Sequence, residues 1–507
     1  MRRACFVFFV LMCVARPVEG HIGSPNVYYQ GNAGPYTLLV IVRPPGVIPG
    51  LAEITVRVDS SDDVSVSVLP VHASTGTKGA PPPDRGTPVP GARNLFASEL
   101  WLMVRGAYSV FVEVSGPAGS GTAIVPVNAV ATKRLSMPVL LAALLGGLGI
   151  LLVCGVLGIL VAAAREATLG PGEEAPRGRR APLVAAAIGA ILLGTALWGG
   201  SSWWGSVDGD YRARRMYRPT EVAAQALREG DQRIVSLRVA RESEPEWSPF
   251  IPDHGKLMHM FLIREPELDA FAHVHPVPRD EITFEVAAPP LPAGAYRLYA
   301  DVTHENGSAQ TLTTVVELPE PPASSSGMPP RLASDPDDSW CSLAASRPRD
   351  LSGTTFDCGG GRRMVWEKPG DLAAGREVFL RFTVLDREGN PATLEPYMGM
   401  LGHAALRRDD GRIFAHIHPT GTISMASQEV FLAKEAKQSA AGAPVPGDAA
   451  AGHAGHGPDH SAHARSAAAV SFPSEFPEPG RYRLWVQVKV GGEVLTGVFD
   501  TEVAAAR

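Results

Sequence analysis

Cysteine is scarce in this chain: there are five in 507 residues, and Cys5, Cys13 and Cys154 all sit inside long apolar runs. A disulfide-dense secreted scaffold is thereby excluded, and Cys341 and Cys358 remain as the one pair outside those runs. A basic excess is missing too. Lys and Arg number 46 against 52 Asp and Glu, so a formal charge of -6 offers no cationic stripe for nucleic acid. Only 19% of residues are charged, yet 45% are hydrophobic, which excludes a disordered polyelectrolyte. Catalytic signatures are absent as well: there is no Gly-x-Ser-x-Gly elbow, no His-Glu-x-x-His and no phosphate-binding Gly-rich loop after a strand. No paired carboxylates stand out, and the sequence does not point to an enzyme.

What is present is hydrophobicity gathered in three places. Residues 1–20 place Arg2 and Arg3 before an apolar run and end on Val18-Glu19-Gly20, the pattern of a secretory signal peptide. Residues 138–164 and 181–198 carry no charge, and each is long enough to cross roughly 30 Å of hydrocarbon. They are expected to be transmembrane helices 1 and 2 of a hairpin in the lipid bilayer. Between them, residues 165–180 hold Arg165, Arg177, Arg179 and Arg180, which suits a cytoplasmic loop. Two spans return the chain to its starting side, so the flanking regions are expected outside the cytoplasm, at an inner membrane facing the periplasm. Gly146, Gly149, Gly155, Gly158, Gly189 and Gly194 would let the helices approach closely.

With 53 Gly and 45 Pro the remainder favours turns and an all-β reading. Residues 21–132 alternate in period two: Ile54, Val56 and Val58 share one face, while Glu53, Thr55 and Arg57 share the other. A β-sandwich follows. Residues 211–230 are expected to hold a short helix. Beyond it, three landmarks occur twice in the same order. Lys256-Leu257-Met258-His259, His273-Val274-His275-Pro276 and Gly294-Ala295-Tyr296-Arg297-Leu298-Tyr299 form the first set. Leu401-Gly402-His403, His416-Ile417-His418-Pro419 and Gly480-Arg481-Tyr482-Arg483-Leu484-Trp485 form the second. An internal repeat of sandwiches is expected, at 219–318 and 331–503, joined by a Pro/Ser linker at 319–330. The fold class is therefore mainly β: three immunoglobulin-like β-sandwich modules plus a two-helix transmembrane hairpin. Residues 440–469, rich in Ala, Gly and His, are read as a flexible loop in the second repeat. Cys341 and Cys358 are expected to form a disulfide, with a thiolate metal pair as the alternative.

Twelve of the fourteen histidines lie beyond residue 250. In an extended strand residues i and i+2 point the same way, so His273 with His275, and His416 with His418, each present two imidazoles together. His259 and His403 offer a third from a neighbouring strand, and the first copy adds His304. Two metal sites are expected, the second one poorer because Val490 stands where the first has His304. Such strand ends can equally be capped by hydrogen bonds to backbone. Met258, Met260, Met398 and Met400 would suit Cu(I) or simply fill a core. His21 would chelate copper if processing made it the N-terminus, and is otherwise an ordinary strand residue. His453, His456, His460 and His463 form either a weak chelating tract or a solvated linker.

The stretch from Lys256 to Ile263, then Phe271-Ala272-His273-Val274-His275-Pro276 and Tyr299-Ala300-Asp301-Val302-Thr303-His304, resembles secreted bacterial β-sandwich proteins of the YtkA-like type. Residues 31–58, with Pro44-Pro45-Gly46, are similar to FixH-like segments. The resemblance implies small immunoglobulin-like folds akin to the copper-carrying CopC group, and roles in copper handling or oxidase assembly. The second copy departs from the pattern at Gln487 and Val490, opposite Asp301 and His304. The expectation is a membrane-anchored, extracytoplasmic protein that binds copper, with zinc as the alternative, and passes it to a membrane metalloprotein. The competing expectation is an envelope interaction module whose histidines are structural.

Overall fold

A computed structural model describes residues 26–166, 169–174, 180–243, 247–321, 331–344, 349–442 and 467–506. The chain divides into two compact units: one comprises 45–50 and 130–218, and the other holds the remaining β-rich segments. The signal peptide assigned to residues 1–20 lies outside the described residues.

The smaller unit is built on two helices, α1 (Val139–Glu166) and α2 (Arg180–Arg214), with mean hydropathy 2.7 and 2.0 over their most apolar stretches. Both are long and apolar enough to cross a membrane. Of the glycines expected to bring them together, Gly189 does so: a Cβ there would meet Leu160 Cδ1 at 2.5 Å, whereas Gly146, Gly149, Gly155, Gly158 and Gly194 face open space. Helix α2 runs well past the expected end at residue 198. No proline intervenes before Pro219 to break it, and Asp210 pairs with Arg214 at 2.9 Å one turn on. The short helix expected at 211–230 is therefore the end of α2 followed by the strand Val222–Glu229.

The larger unit is mainly β and contains three two-sheet sandwiches. In the first, a five-stranded sheet (Val27–Ala33, Tyr36–Arg43, Gly50–Asp59, Leu95–Leu102, Thr87–Pro88) faces a four-stranded one (Asp84–Arg85, Ser65–His72, Gly106–Gly116, Gly119–Ala129). The alternation read from the sequence holds: Ile54, Val56 and Val58 are buried, and Glu53 and Arg57 point outward.

The second and third sandwiches repeat one plan. Strand His259–Arg264 lies between Ala270–Val274 and Gly294–His304, just as His403–Arg408 lies between Phe414–Ile417 and Gly480–Val490. These two histidine-bearing sheets are buried on both faces. Met260, Leu262, Ala272, Val274, Leu298 and Ala300 face their own partner sheet, while Phe261, Ile263, Phe271 and Tyr299 join the core of the other sandwich. Tyr299 stacks on Phe414 at 4.0 Å between ring centroids, and Phe271 stacks on Trp485 at 5.0 Å. Burying Phe261 and Phe271 stabilises the junction by about 1.5–3 kcal/mol each. Arg407, 1% exposed, adds a hydrogen bond to Tyr299 Oη at 3.0 Å and an ion pair with Glu265.

Two boundaries differ from expectation. Ser339–Ser342, assigned by sequence to the second repeat, adds an edge strand to the first repeat's sheet by pairing with Ala270–Val274. The region expected to be a loop from 440 is preceded by α3 (Met425–Gly442), capped by Ser424, whose Oγ accepts from Ser427 N at 3.0 Å. Helix α3 packs on the N-terminal sandwich: Phe431 is buried with Ala73, Ala107 and Ile124, and Gln428 Nε2 donates to the Ile124 carbonyl at 2.6 Å.

Candidate metal centre

Strand alternation decides which side chains meet at the junction. Along His259–Arg264, His259, Phe261 and Ile263 share the face turned to the other sandwich, as do Phe271 and His273, and Tyr299 and Asp301. The second repeat does the same with His403, with Phe414, His416 and His418, and with Trp485 and Gln487. Aromatic and arginine contacts occupy one end of this junction, and the histidines occupy the other.

The six motif histidines accordingly form one chamber rather than two separate sites. Ligand atoms of His259, His273 and His275 lie within 4.8 Å of one another, and so do those of His403, His416 and His418. Ring centroids across the junction are 5.6 Å apart for His259 and His416, 5.5 Å for His273 and His416, and 6.1 Å for His273 and His403.

Five of the six rings are braced from outside. His259 Nε2–H donates to the Asp253 carbonyl at 3.1 Å, and His403 Nε2–H to the Tyr397 carbonyl at 3.1 Å. His273 Nδ1–H donates to Gln487 Oε1 at 2.9 Å, His416 Nδ1–H to Asp301 Oδ2 at 3.1 Å, and His275 Nδ1–H to Asp338 Oδ1 at 3.0 Å. A neutral imidazole carries one N–H, so in the neutral state these oxygen acceptors leave the inward nitrogens of His259, His273, His275, His403 and His416 with lone pairs. His259 Nδ1 then faces His273 Nε2 at 3.2 Å, and His403 Nδ1 faces His416 Nε2 at 3.2 Å. Two lone pairs at that distance cannot hydrogen-bond. Buried His275 Nε2 and both ring nitrogens of His418 also have no hydrogen-bond partner.

Protonation is disfavoured where it could relieve this. Burial, reinforced by His275, pushes His259 well below its ordinary value, and it does the same to His273. Burial, reinforced by His416, also holds His403 and His418 well below their ordinary value. These imidazoles are neutral near pH 7, the state in which they bind metal.

The sequence reading missed two contributors. His254 sits 5.7 Å from His403, 5.1 Å from His418 and 6.1 Å from His259 between ring centroids. It occupies a tight turn, Asp253 to Lys256, in which His254 and Gly255 have φ of 51° and 79°. Mutual backbone bonds of 2.9 and 3.0 Å between Asp253 and Lys256 hold that left-handed conformation. The second repeat has the same turn, with Met398 and Gly399 at 50° and 79°. The signal was available: Pro252-x-x-Gly255-x-Leu257-x-His259 recurs as Pro396-x-x-Gly399-x-Leu401-x-His403. The other omission is Asp338, which reaches His275 from beyond the linker. Its neighbour Asp335 is held by Lys256 Nζ at 2.6 Å.

Other expected ligands fall elsewhere. His304 projects from the opposite face of its strand to Asp301, where Nδ1–H donates to the Ser248 carbonyl at 2.6 Å and Nε2 accepts from Gln310 at 2.8 Å. It lies beside Trp247 and Phe250 and away from the chamber, so it braces the first sandwich. Met258 and Met260 are fully buried in that sandwich's own core, which removes them as Cu(I) ligands. Met400 lines a cavity of about 220 Å³ with His254, Asp253, Met425 and Glu429. Cys341 and Cys358 are free thiols, so the expected disulfide is not formed. They pack beside the apolar core, where burial pushes Cys341 up to about 12 and Cys358 to about 11. His21, His453, His456, His460 and His463 lie outside the described residues.

The chain matches the family model described as Domain of unknown function (DUF8832) over residues 218–320 and 358–505. Those segments are the two histidine-bearing sandwiches, without the stretch that joins them. No curated protein matches the chain. Among solved structures, it is similar to a chimeric titin Z1Z2 tandem at 12% identity, covering 57% of this chain and 100% of that one, with a TM-score of 0.12. It is also similar to the BSP domain of a biofilm associated protein (8% identity, 97% and 68% covered, TM-score 0.14) and to the ICAM-5 D1–D4 ectodomain fragment (10%, 93% and 84%, 0.14). At such scores no functional argument rests on them.

Proposed function

We propose that the chain is a membrane-anchored transition-metal-binding protein, with copper as the favoured ion and zinc as the alternative. One observation carries this reading: buried imidazoles braced from outside so that, in their neutral form, inward lone pairs converge at 3.2 Å. A cation between them turns a repulsive contact into coordination, and the outer Asp301, Asp338 and carbonyl acceptors orient the rings and raise their basicity. Imidazole donors suit Cu(II) and Zn(II), and the described chamber holds no thiolate that would favour a softer ion. The resemblance to YtkA-like and CopC-like sandwiches favours copper.

In this reading α1 and α2 span a bilayer, with the sandwiches on the periplasmic side, where Trp198, Trp203 and Trp204 would mark an interface. The task is capture of an ion and its transfer to a membrane metalloprotein. No catalytic step is assigned.

The test uses the full chain in detergent, stripped with a chelator and dialysed against Cu(II) or Zn(II). Retained metal and a raised Tm are expected, since a ligand held at 100 times its Kd stabilises by about 2.7 kcal/mol. A Tm indifferent to metal and chelator alike, with none retained, would leave the envelope interaction module as the working function.

A further inference from the structure

Resting on that metal-binding reading, we infer that the two triads hold two ions at once, as one dinuclear centre shared by both sandwiches. A single central ion does not fit the donors. Nitrogens on one ion at about 2.0–2.1 Å are at most ~4.2 Å apart. Each triad approaches that limit, with ligand atoms inside 4.8 Å, but the six together form no such group among the described residues.

Two isolated ions do not fit either. Ring centroids across the junction, 5.5 to 6.1 Å, are barely longer than those within a triad, 4.3 to 5.4 Å. Three histidines leave a four-coordinate ion one open position, and both open positions face the same chamber. Ions separated by about 3.5–4 Å in paired sites commonly share a bridging oxygen. Hydroxide, or another small oxygen anion, is the ligand class this chamber would take between the metals.

The bracing supports a pair as well. Close cations need nearby negative charge, and each triad has one carboxylate-backed imidazole: His275 on Asp338 and His416 on Asp301. Asp301 belongs to the first sandwich and braces a ligand of the second, while Gln487 of the second braces His273 of the first. Each ion is thus oriented partly by the sandwich that holds the other.

The experiment uses the full chain in detergent carrying His453→Ala, His456→Ala, His460→Ala and His463→Ala, which removes the background of the histidine tract. Cu(II) is the probe, retained copper is counted by mass spectrometry, and the spin is counted by electron paramagnetic resonance. Expected are two coppers per chain, with a resonance intensity well below the copper bound because the spins couple. His275→Ala and, separately, His418→Ala should each retain one copper with full mononuclear intensity. Saturation at one copper in the protein with both triads intact, or two coppers with full intensity, overturns the pair while leaving metal binding in place. Retention of none overturns the metal reading itself. The spectrum of the intact triads decides the matter even if a single-triad variant fails to fold.

Discussion

The two triads are built on the same strand registers but are braced differently. In the first, the three rings lean on a carbonyl, an uncharged amide and a carboxylate, in the order His259, His273 and His275. In the second, His403 has a carbonyl and His416 a carboxylate, while neither ring nitrogen of buried His418 has a hydrogen-bond partner and the ring faces His254 instead. The tight turns beside them differ likewise, one carrying His254 and the other Met398. The two repeats thus share one backbone geometry but differ in the charge behind the donors. The departure at Gln487, which on sequence grounds weakens the second site, turns out to brace the first.

Both triads depend on the two sandwiches being locked together, so unlocking them should have the largest effect. Phe271→Ala removes the stack on Trp485 and leaves a cavity, so a loss of about 3–5 kcal/mol is expected in denaturant unfolding, with metal retention in both triads weakened together. Next come the braces. Asp301→Asn should lower affinity at the second triad by roughly 10–100-fold in competition with a chromophoric chelator. Gln487→Leu, which removes only a neutral acceptor, should cost the first triad less. The reverse order would refute the assigned bracing.

Acid acts on both triads. His259, His273, His403 and His418 are depressed in the folded state, so below the unfolded imidazole value, near pH 6.5, the unfolded chain binds more protons. Their contribution is therefore complete above about pH 6.5 and is lost as the pH falls below it. The Tm of the metal-free protein should be level from pH 8 to 6.5 and decline beneath, and loaded protein should shed its ions over the same range. The smallest effect is expected from Met398→His, which gives the second turn the imidazole of the first. A gain of less than about tenfold in copper affinity, under roughly 1.4 kcal/mol, would show that the turns are equivalent.

Six of the seven chamber histidines were legible because the His-x-His strand ends recur with a third imidazole nearby. Their fusion into one chamber was not, since period-two alternation says which side chains share a face but not what that face meets. A clue lay in His259-Met260-Phe261-Leu262-Ile263, which has no polar face to give to solvent and must be buried on both sides. His304 misled for a related reason: an odd offset from Asp301 puts it on the other face of the strand. His254 escaped notice because a turn has no periodicity. The helix α3 was hidden by the composition of the tract that follows it, although Ser424 and the Ala, Glu and Lys that come after are ordinary helix signals.

The N-terminal strand has a consequence of a different kind. Tyr28 Oη donates to Glu475 Oε2 at 2.6 Å, and the Gln30 backbone N–H donates to the Thr420 carbonyl at 2.8 Å, so the strand Val27–Ala33 is fastened to residues far along the chain. Contacts of such sequence separation form late. Gln487 must also be in place before His273 is braced. The chamber is therefore a late product of folding: its rings reach their braced positions only after segments far apart in the chain have met.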